Sequence, residues 1–501
     1  MERGSGLLVH ISELPSKYGI GTFGLEARRF VKFLSGAKQK YWQILPLNPT
    51  SFGDSPYQSF SAFALNPYFI DLTILVKKGY LKKENLKKVR FCKKSNCIDY
   101  GRMYLERYPI LFEAYKVAYD KEEKQINKFF NKNKKWLDDY ALFMTIKKLF
   151  GGESFQNWPS LYRRHSKKVL DEVRSTCSEE YKFQIWMQYE SYNQYIKLRR
   201  YAHKHGVKII GDMPIYVSLD SCDVWAHHKL FLLDNQRRPT KVAGVPPDYF
   251  SKTGQLWGNP LYDYEYLKKT NYLWWRRRFK YFSKLYDVVR VDHFRGFDSY
   301  WVVDSNEKTA INGQWLKGPG IDLFDACKKE ISKIEIIAED LGIINDDVRN
   351  LKAKCGFPGL KLYQFAFADY EYTSSETKYE ELINPYLPHN YESNCVAYIG
   401  THDNDVEDNY LLEHPEEHSA MLDYLNISNV EDIHDTLIGS LMRSNANVVI
   451  FLPQDLLRLG KESRINTPGV AFGNWRFRFN RKHFSKELQN HLKIMVEEAN
   501  R

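Results

Sequence analysis

At 501 residues the chain is too long for one minimal domain but fits one barrel with large insertions; 43% hydrophobic residues and a mean hydropathy of −0.53 predict a soluble globular protein. No run reaches the roughly 18 uninterrupted apolar residues of a membrane span, and MERGSGLLVHISELPS lacks the apolar region and cleavage site of a signal peptide, so a cytoplasmic protein with no membrane partner is expected. The formal charge of +11 raises nucleic acid as a partner, but much of the basic excess lies at 77–94 and 121–135, mixed with acidic residues at amphipathic spacing, so solvated helix faces and no nucleic acid are expected.

The first unit appears at once. GLLVHI at 6–11 is a short apolar run, a Gly-rich loop follows, and Leu25, Phe30, Val31 and Leu34 recur at helical spacing before the next apolar run, YWQILP at 41–46. Further β-branched runs are VKIIGDM at 207–213, YDVVRVD at 286–292, IEIIAED at 334–340, GLKLYQFAF at 359–367, CVAYIGTHD at 395–403 and NVVIFLP at 447–453. Near-continuous apolar strands separated mostly by helical patterns predict a parallel sheet covered on its outer face, and eight of them predict closure into a (β/α)8 TIM barrel. The expected organisation is one catalytic barrel over 1–501 with large helical and loop insertions after strands two and three. A helical insertion spans 48–206, with helices at 136–150 and 180–205, and a loop-rich one spans 214–285, over the cleft. The seven cysteines form no CxxC pair and no zinc-spaced cluster with histidine, so free thiols, no metal and no cofactor are expected.

Four predicted strands end in acid: Asp212, Asp292, Glu339 and Asp403. Barrel chemistry sits at the C-terminal ends of the strands, and an acidic residue just past a buried apolar run is costly unless paired or employed. Arg290 lies two residues before Asp292, on the same face of its strand, where its charge would keep that carboxylate ionised and oriented. Glu339 needs the opposite treatment, since burial and neighbouring carboxylates raise an acid's pKa. One carboxyl held ionised and one protonated is the pattern of glycoside cleavage. A 15% share of aromatic residues, 35 of them tyrosine, suits the apolar faces and polar edges of sugars.

The sequence resembles the 4-α-glucanotransferases of the amylomaltase, or disproportionating enzyme, family, relatives of the α-amylases, from residue 6 to about residue 480. The resemblance rests on YWQILPLNPT at 41–50, GDSPYQSFSAFALNPYFID at 53–71, GDMPIYV at 211–217, VAGVPPDYFSKTGQLWGNP at 242–260, VRVDHFRGF at 289–297, AEDLG at 338–342, GTHDN at 400–404 and the NTPG and NWRFR segments within 466–478. It implies transfer of an α-1,4-glucan segment to the 4-hydroxyl of another glucan or of glucose by retaining double displacement. By the same resemblance Asp292 is the nucleophile, Glu339 the acid/base and Asp403 the carboxylate gripping the 2- and 3-hydroxyls of the sugar being transferred. Tyr57 lies under that sugar as an aromatic platform, Asp212, His293 and His402 bond its hydroxyls, and Arg290 positions Asp292. Tyr249, Phe250, Trp257 and Asn259 belong to a loop over the acceptor side. Arg464 and Asn466 are either cleft residues or parts of the turn around Pro468–Gly469. The partners implied are α-1,4-glucans and maltooligosaccharides; oligomeric state is not legible. An α-glucan hydrolase with the same carboxylates is the alternative within enzymes, and a non-catalytic glucan-binding scaffold the alternative outside them.

Overall fold

The computed structural model describes the chain apart from residues 52, 95, 248–250, 343 and 368–383. Its strands, in chain order, are β1 (Gly4–Leu8), β2 (Tyr41–Gln43), β3 (Lys208–Met213), β4 (Lys241–Val245), β5 (Gln255–Pro260), β6 (Val288–Val291), β7 (Ser299–Asp304), β8 (Gly313–Lys317), β9 (Glu335–Ala338), β10 (Gly359–Leu362), β11 (Cys395–Tyr398) and β12 (Val448–Phe451). Eight of them form a parallel sheet in the order β10-β11-β12-β1-β2-β3-β6-β9, and these are the eight apolar runs of the sequence. Ladders run without interruption from β10 round to β9; across the remaining seam Ala338 N donates to Pro358 O at 2.9 Å and Leu360 N to the Asp340 carboxylate at 2.7 Å. The sheet thus closes into a (β/α)8 barrel. GLKLYQFAF is shorter as a strand than expected, because Tyr363–Phe365 turns into a 3-10 helix beyond β10.

Helices cover the barrel by burying one stripe each. Leu25–Gly36 buries Ala27, Phe30, Val31 and Leu34, one face at 3.6-residue spacing. Asp346–Cys355 begins where the Asn345 side chain accepts from Val348 N and ends at Gly356, whose φ of 69° suits a helix stop. The C-terminal helix Lys486–Glu498 packs against both Leu25–Gly36 and Ile433–Arg443, completing the ring near β1 and β12. On β3, Gly211 lets the strand meet the Tyr286 ring; a Cβ there would lie 2.3 Å from it.

The segment between β2 and β3 is largely helical. The Lys-rich stretch 121–135 is part of one helix, Tyr108–Leu149, rather than a separate element before 136–150, and its lysines are mostly exposed. Helix Ser178–Lys204 lies against both this long helix and the barrel, where Tyr195 donates to Leu285 O at 2.9 Å. The segment expected to be loop-rich instead supplies β4 and β5 to a four-stranded antiparallel sheet ordered β5-β4-β7-β8, and β7 and β8 arrive from beyond Asp292. No helix among the described residues is long and apolar enough to cross a membrane.

Candidate active site

The ladders run on past the strand ends and bring the carboxylates together. Asp292 N donates to Met213 O at 3.1 Å, Glu339 N to Val291 O at 3.1 Å and Phe294 N to Glu339 O at 3.0 Å. His293 adopts a left-handed backbone, φ 50°, which turns its own N–H onto Glu339 Oε2 at 2.6 Å. A left-handed non-glycine residue carries roughly 1–2 kcal/mol of strain, a cost that the surrounding contacts offset at a functional site. Leu341 N donates to the other oxygen of Glu339 at 3.1 Å.

Arg290 organises the floor. One of its nitrogens, Nη1, lies 2.6 Å from Asp212 and 3.0 Å from Asp292, as the two-residue spacing predicts. Tyr57 OH donates to Asp212 at 3.1 Å and lies 2.9 Å from His402 Nε2, which is itself 3.4 Å from Asp403. Asn466 Nδ2 donates to Asp403 at 2.7 Å, while Arg464 bonds Asp403 O, Asn466 O and the Asp405 carboxylate. Asn466 is therefore a cleft residue, and Arg464 is the clasp that holds its loop to that of Asp403.

These groups surround an open cleft of about 550 Å³. Tyr57, Trp257, Asn259, Arg290, Asp292, His293, Glu339, Asp403 and Asn466 all line it. Asp212 and His402 do not: Asp212 is wholly enclosed, and both sit one layer below, reaching the cleft through Arg290 and Tyr57. Trp257 meets His293 edge-on, with ring centres 4.9 Å apart. Asn259 donates to Val217 O at 2.8 Å and accepts from Gln58 at 3.2 Å, so its amide pins the loop that carries Trp257. Tyr249 and Phe250 lie outside the described residues.

Trp475 and Arg295 are among the cleft residues that escaped the sequence reading. Trp475, φ 65°, stands 5.8 Å from the Tyr57 ring and 5.9 Å from His402, closing one wall. Arg295, three residues past Asp292, lines another. NWRFR marked the first region without assigning the ring a place; nothing in local periodicity distinguishes the second.

Electrostatics separate the two central acids. Burial pushes Glu339 up to about 8; Arg290 at longer range and the two backbone N–H bonds oppose this, and the Asp292 charge adds to it. Asp292 is displaced upward by burial and by Asp403, with bonded Arg290 opposing. Arg290 lowers Asp292 as the two-residue spacing implies, but enclosure outweighs it, although 24% of the Asp292 side chain stays open to the cleft. Burial drives the imidazoles the other way, His293 to about 3 and His402 to about 4, so both are neutral hydrogen-bonding groups near pH 7. The arrangement offers a carboxyl braced by a guanidinium, a second carboxyl raised to about 8 and held by backbone N–H groups, and a third oriented by Asn466.

A family model described as 4-alpha-glucanotransferase matches residues 9–483. The chain is 46% identical to a 4-alpha-glucanotransferase of Clostridium butyricum, over 97% of this chain and 98% of that one. It is 41% identical to one from Thermus thermophilus, over 100% and 99%. Among solved structures, an amylomaltase from Streptococcus agalactiae in complex with acarbose is similar across the full length of both chains, with TM-score 0.94 and 39% identity.

Proposed function

The chain belongs to the 4-alpha-glucanotransferase family and is a glucan-transferring enzyme, and from that premise we propose that Asp292, Glu339 and Asp403 carry the transfer on α-1,4-linked maltooligosaccharides. Asp292 attacks the anomeric carbon as Glu339 gives its proton to the departing 4-oxygen, leaving a covalent glucosyl ester. Glu339, now ionised, takes the proton from the incoming 4-hydroxyl, whose oxygen displaces Asp292 and restores the α-linkage. Asp403, oriented by Asn466, accepts hydroxyl bonds from the transferred sugar. Tyr57 and Trp475 supply its apolar wall. His293 and Trp257 crowd the acid and limit the water that can reach the ester.

The observation that carries this reading is that Arg290 is bonded to Asp292 while Glu339, bonded among the described residues to backbone N–H groups alone, is pushed to about 8. The test is incubation with maltotriose. Transfer redistributes chain lengths with the number of reducing ends constant; a steady rise in reducing ends would mean that water is the acceptor and would overturn the proposal.

Residues 1–501 act in this proposal as one catalytic unit, with 48–206 and 214–285 as insertions; a buried core continuous from barrel to insertions supports it. A cytoplasmic setting is also part of the proposal. Seven cysteines without a disulfide support it, and cell fractionation tests it.

A further inference from the structure

The outermost strand of the small antiparallel sheet brings an open indole to the cleft. Trp315 on β8 lines it and is 38% exposed. Single exposed apolar residues are common and mean little; this one is held in place from two sides. The guanidinium of Arg295 lies 3.9 Å from the centre of its ring, and Arg295 is itself buried, with Nη2 donating to Ser299 at 3.3 Å. Register sets Trp315 opposite Trp301, and the two rings meet at 5.2 Å and 65°. Trp301 is fixed in turn by its Nε1 bond to Ala310 O at 2.9 Å.

Through Lys317 this strand reaches both Asp298, in the segment after Asp292, at 3.5 Å and the element that follows the acid. Lys317, two residues beyond Trp315, lies 3.2 Å from Asp347, at the start of the helix that follows Glu339. Asp403 is tied instead to the loop of Arg464 and Asn466. The glucan on the acid's side receives the proton of Glu339 and departs, and the acceptor then takes its place.

We propose that Trp315, held by Arg295 and Trp301, is a stacking platform for a sugar of the departing and accepting glucan, beyond the unit bonded at the reacting oxygen. The inference rests on the transfer reading above. A preordered ring offers an apolar face to a pyranose at little entropic cost, and Trp315 thereby favours longer acceptors over glucose.

The experiment uses α-maltosyl fluoride as donor, whose fluoride leaves with no glucan on the acid's side, and compares glucose with maltopentaose as acceptor. Trp315→Ala should raise KM for maltopentaose roughly 2- to 10-fold and shift KM for glucose much less, with kcat falling less than KM rises. Trp315→Phe, which keeps a ring, should recover most of the loss. Equal shifts for both acceptors, or a phenylalanine variant no better than alanine, would overturn the platform. A melting curve accompanies each variant; should alanine unfold at the assay temperature, Trp315→Leu, apolar but ringless, takes its place under the same criteria. Wild-type enzyme that passes the maltosyl group to water with either acceptor would end the transfer reading as well, whereas the variant outcomes bear on Trp315 alone.

Discussion

Asp292 and Glu339 stand close together under one guanidinium, yet only Asp292 is bonded to it. The difference predicts how each replacement behaves. Asp292→Asn should fold, bind maltodextrin and lose nearly all turnover; wild-type-like rates from the folded variant would take the nucleophile's role from Asp292. For Glu339 the sign follows from its job as an acid. Burial raises it to about 8, so it is protonated at neutral pH, and kcat/KM for a maltodextrin should fall as pH rises through that value. Glu339→Gln should cost roughly 10²- to 10⁴-fold with maltodextrin. The first step should be largely spared with a glucosyl fluoride, whose leaving group needs no proton. Equal slowing of both donors in that step, or an unchanged alkaline limb in the variant, would show that another group supplies the proton.

Elements show where sequence reasoning holds and where it stops. Barrel strands are buried on both faces, so VVRV and VVIF advertise themselves as apolar runs, and their terminal acids stand out against them. The sheet β5-β4-β7-β8 has half-open strands: QLWGNP and GQWLK mix glycine, polar and aromatic residues with no clean alternation, and their pairing joins segments on either side of Asp292. Arg295 and Trp315 were invisible for that reason, since their contact depends on that pairing. Asp212 was legible as a carboxylate but not as a buried one, because a strand-end position does not say which layer of the barrel closes over it. The seam between β9 and β10 gives the element-scale prediction. Asp340 accepts from Leu360 N at 2.7 Å and pairs with Lys352 at 2.5 Å, bridging a gap that no ladder covers. Asp340→Ala should destabilise the fold by about 1.5–3 kcal/mol in denaturant titrations, as expected for loss of a charged acceptor. Asp340→Asn, which keeps an acceptor for Leu360, should recover part of it. A neutral alanine variant would mean that the seam closes without the carboxylate.

Across the whole molecule, enclosure of the barrel and its insertions gathers carboxyls and imidazoles displaced in opposite directions, and this shapes stability against pH. Burial raises Glu13 and Glu407 to about 8 and Asp223 and Asp455 to about 7, while it lowers His10 and His293 to about 3 and His402 to about 4. A carboxyl raised in the fold binds its proton more tightly there than in the unfolded chain. Its contribution is complete below the ordinary carboxylate range and is lost as pH climbs through the folded value. A lowered imidazole contributes fully above its ordinary value, near 6.5, and loses that contribution as pH falls toward 3 or 4. Between about pH 6.5 and 8 the imidazoles are neutral in both states, so the carboxyls set the slope and the melting temperature should fall. Glu407 is the sharpest probe. It is 1% exposed, Asp455 accepts from its backbone N–H at 2.9 Å, and that neighbour's charge adds to the burial that raises it. Glu407→Gln replaces a protonated acid with a neutral group of the same shape. The variant should lose less melting temperature than wild type between pH 6.5 and 8, and the two curves should converge only below the ordinary carboxylate range, near pH 4.5. Parallel curves throughout would mean that Glu407 is already ionised in the fold, with the buried charge compensated by its neighbours instead of neutralised by a proton.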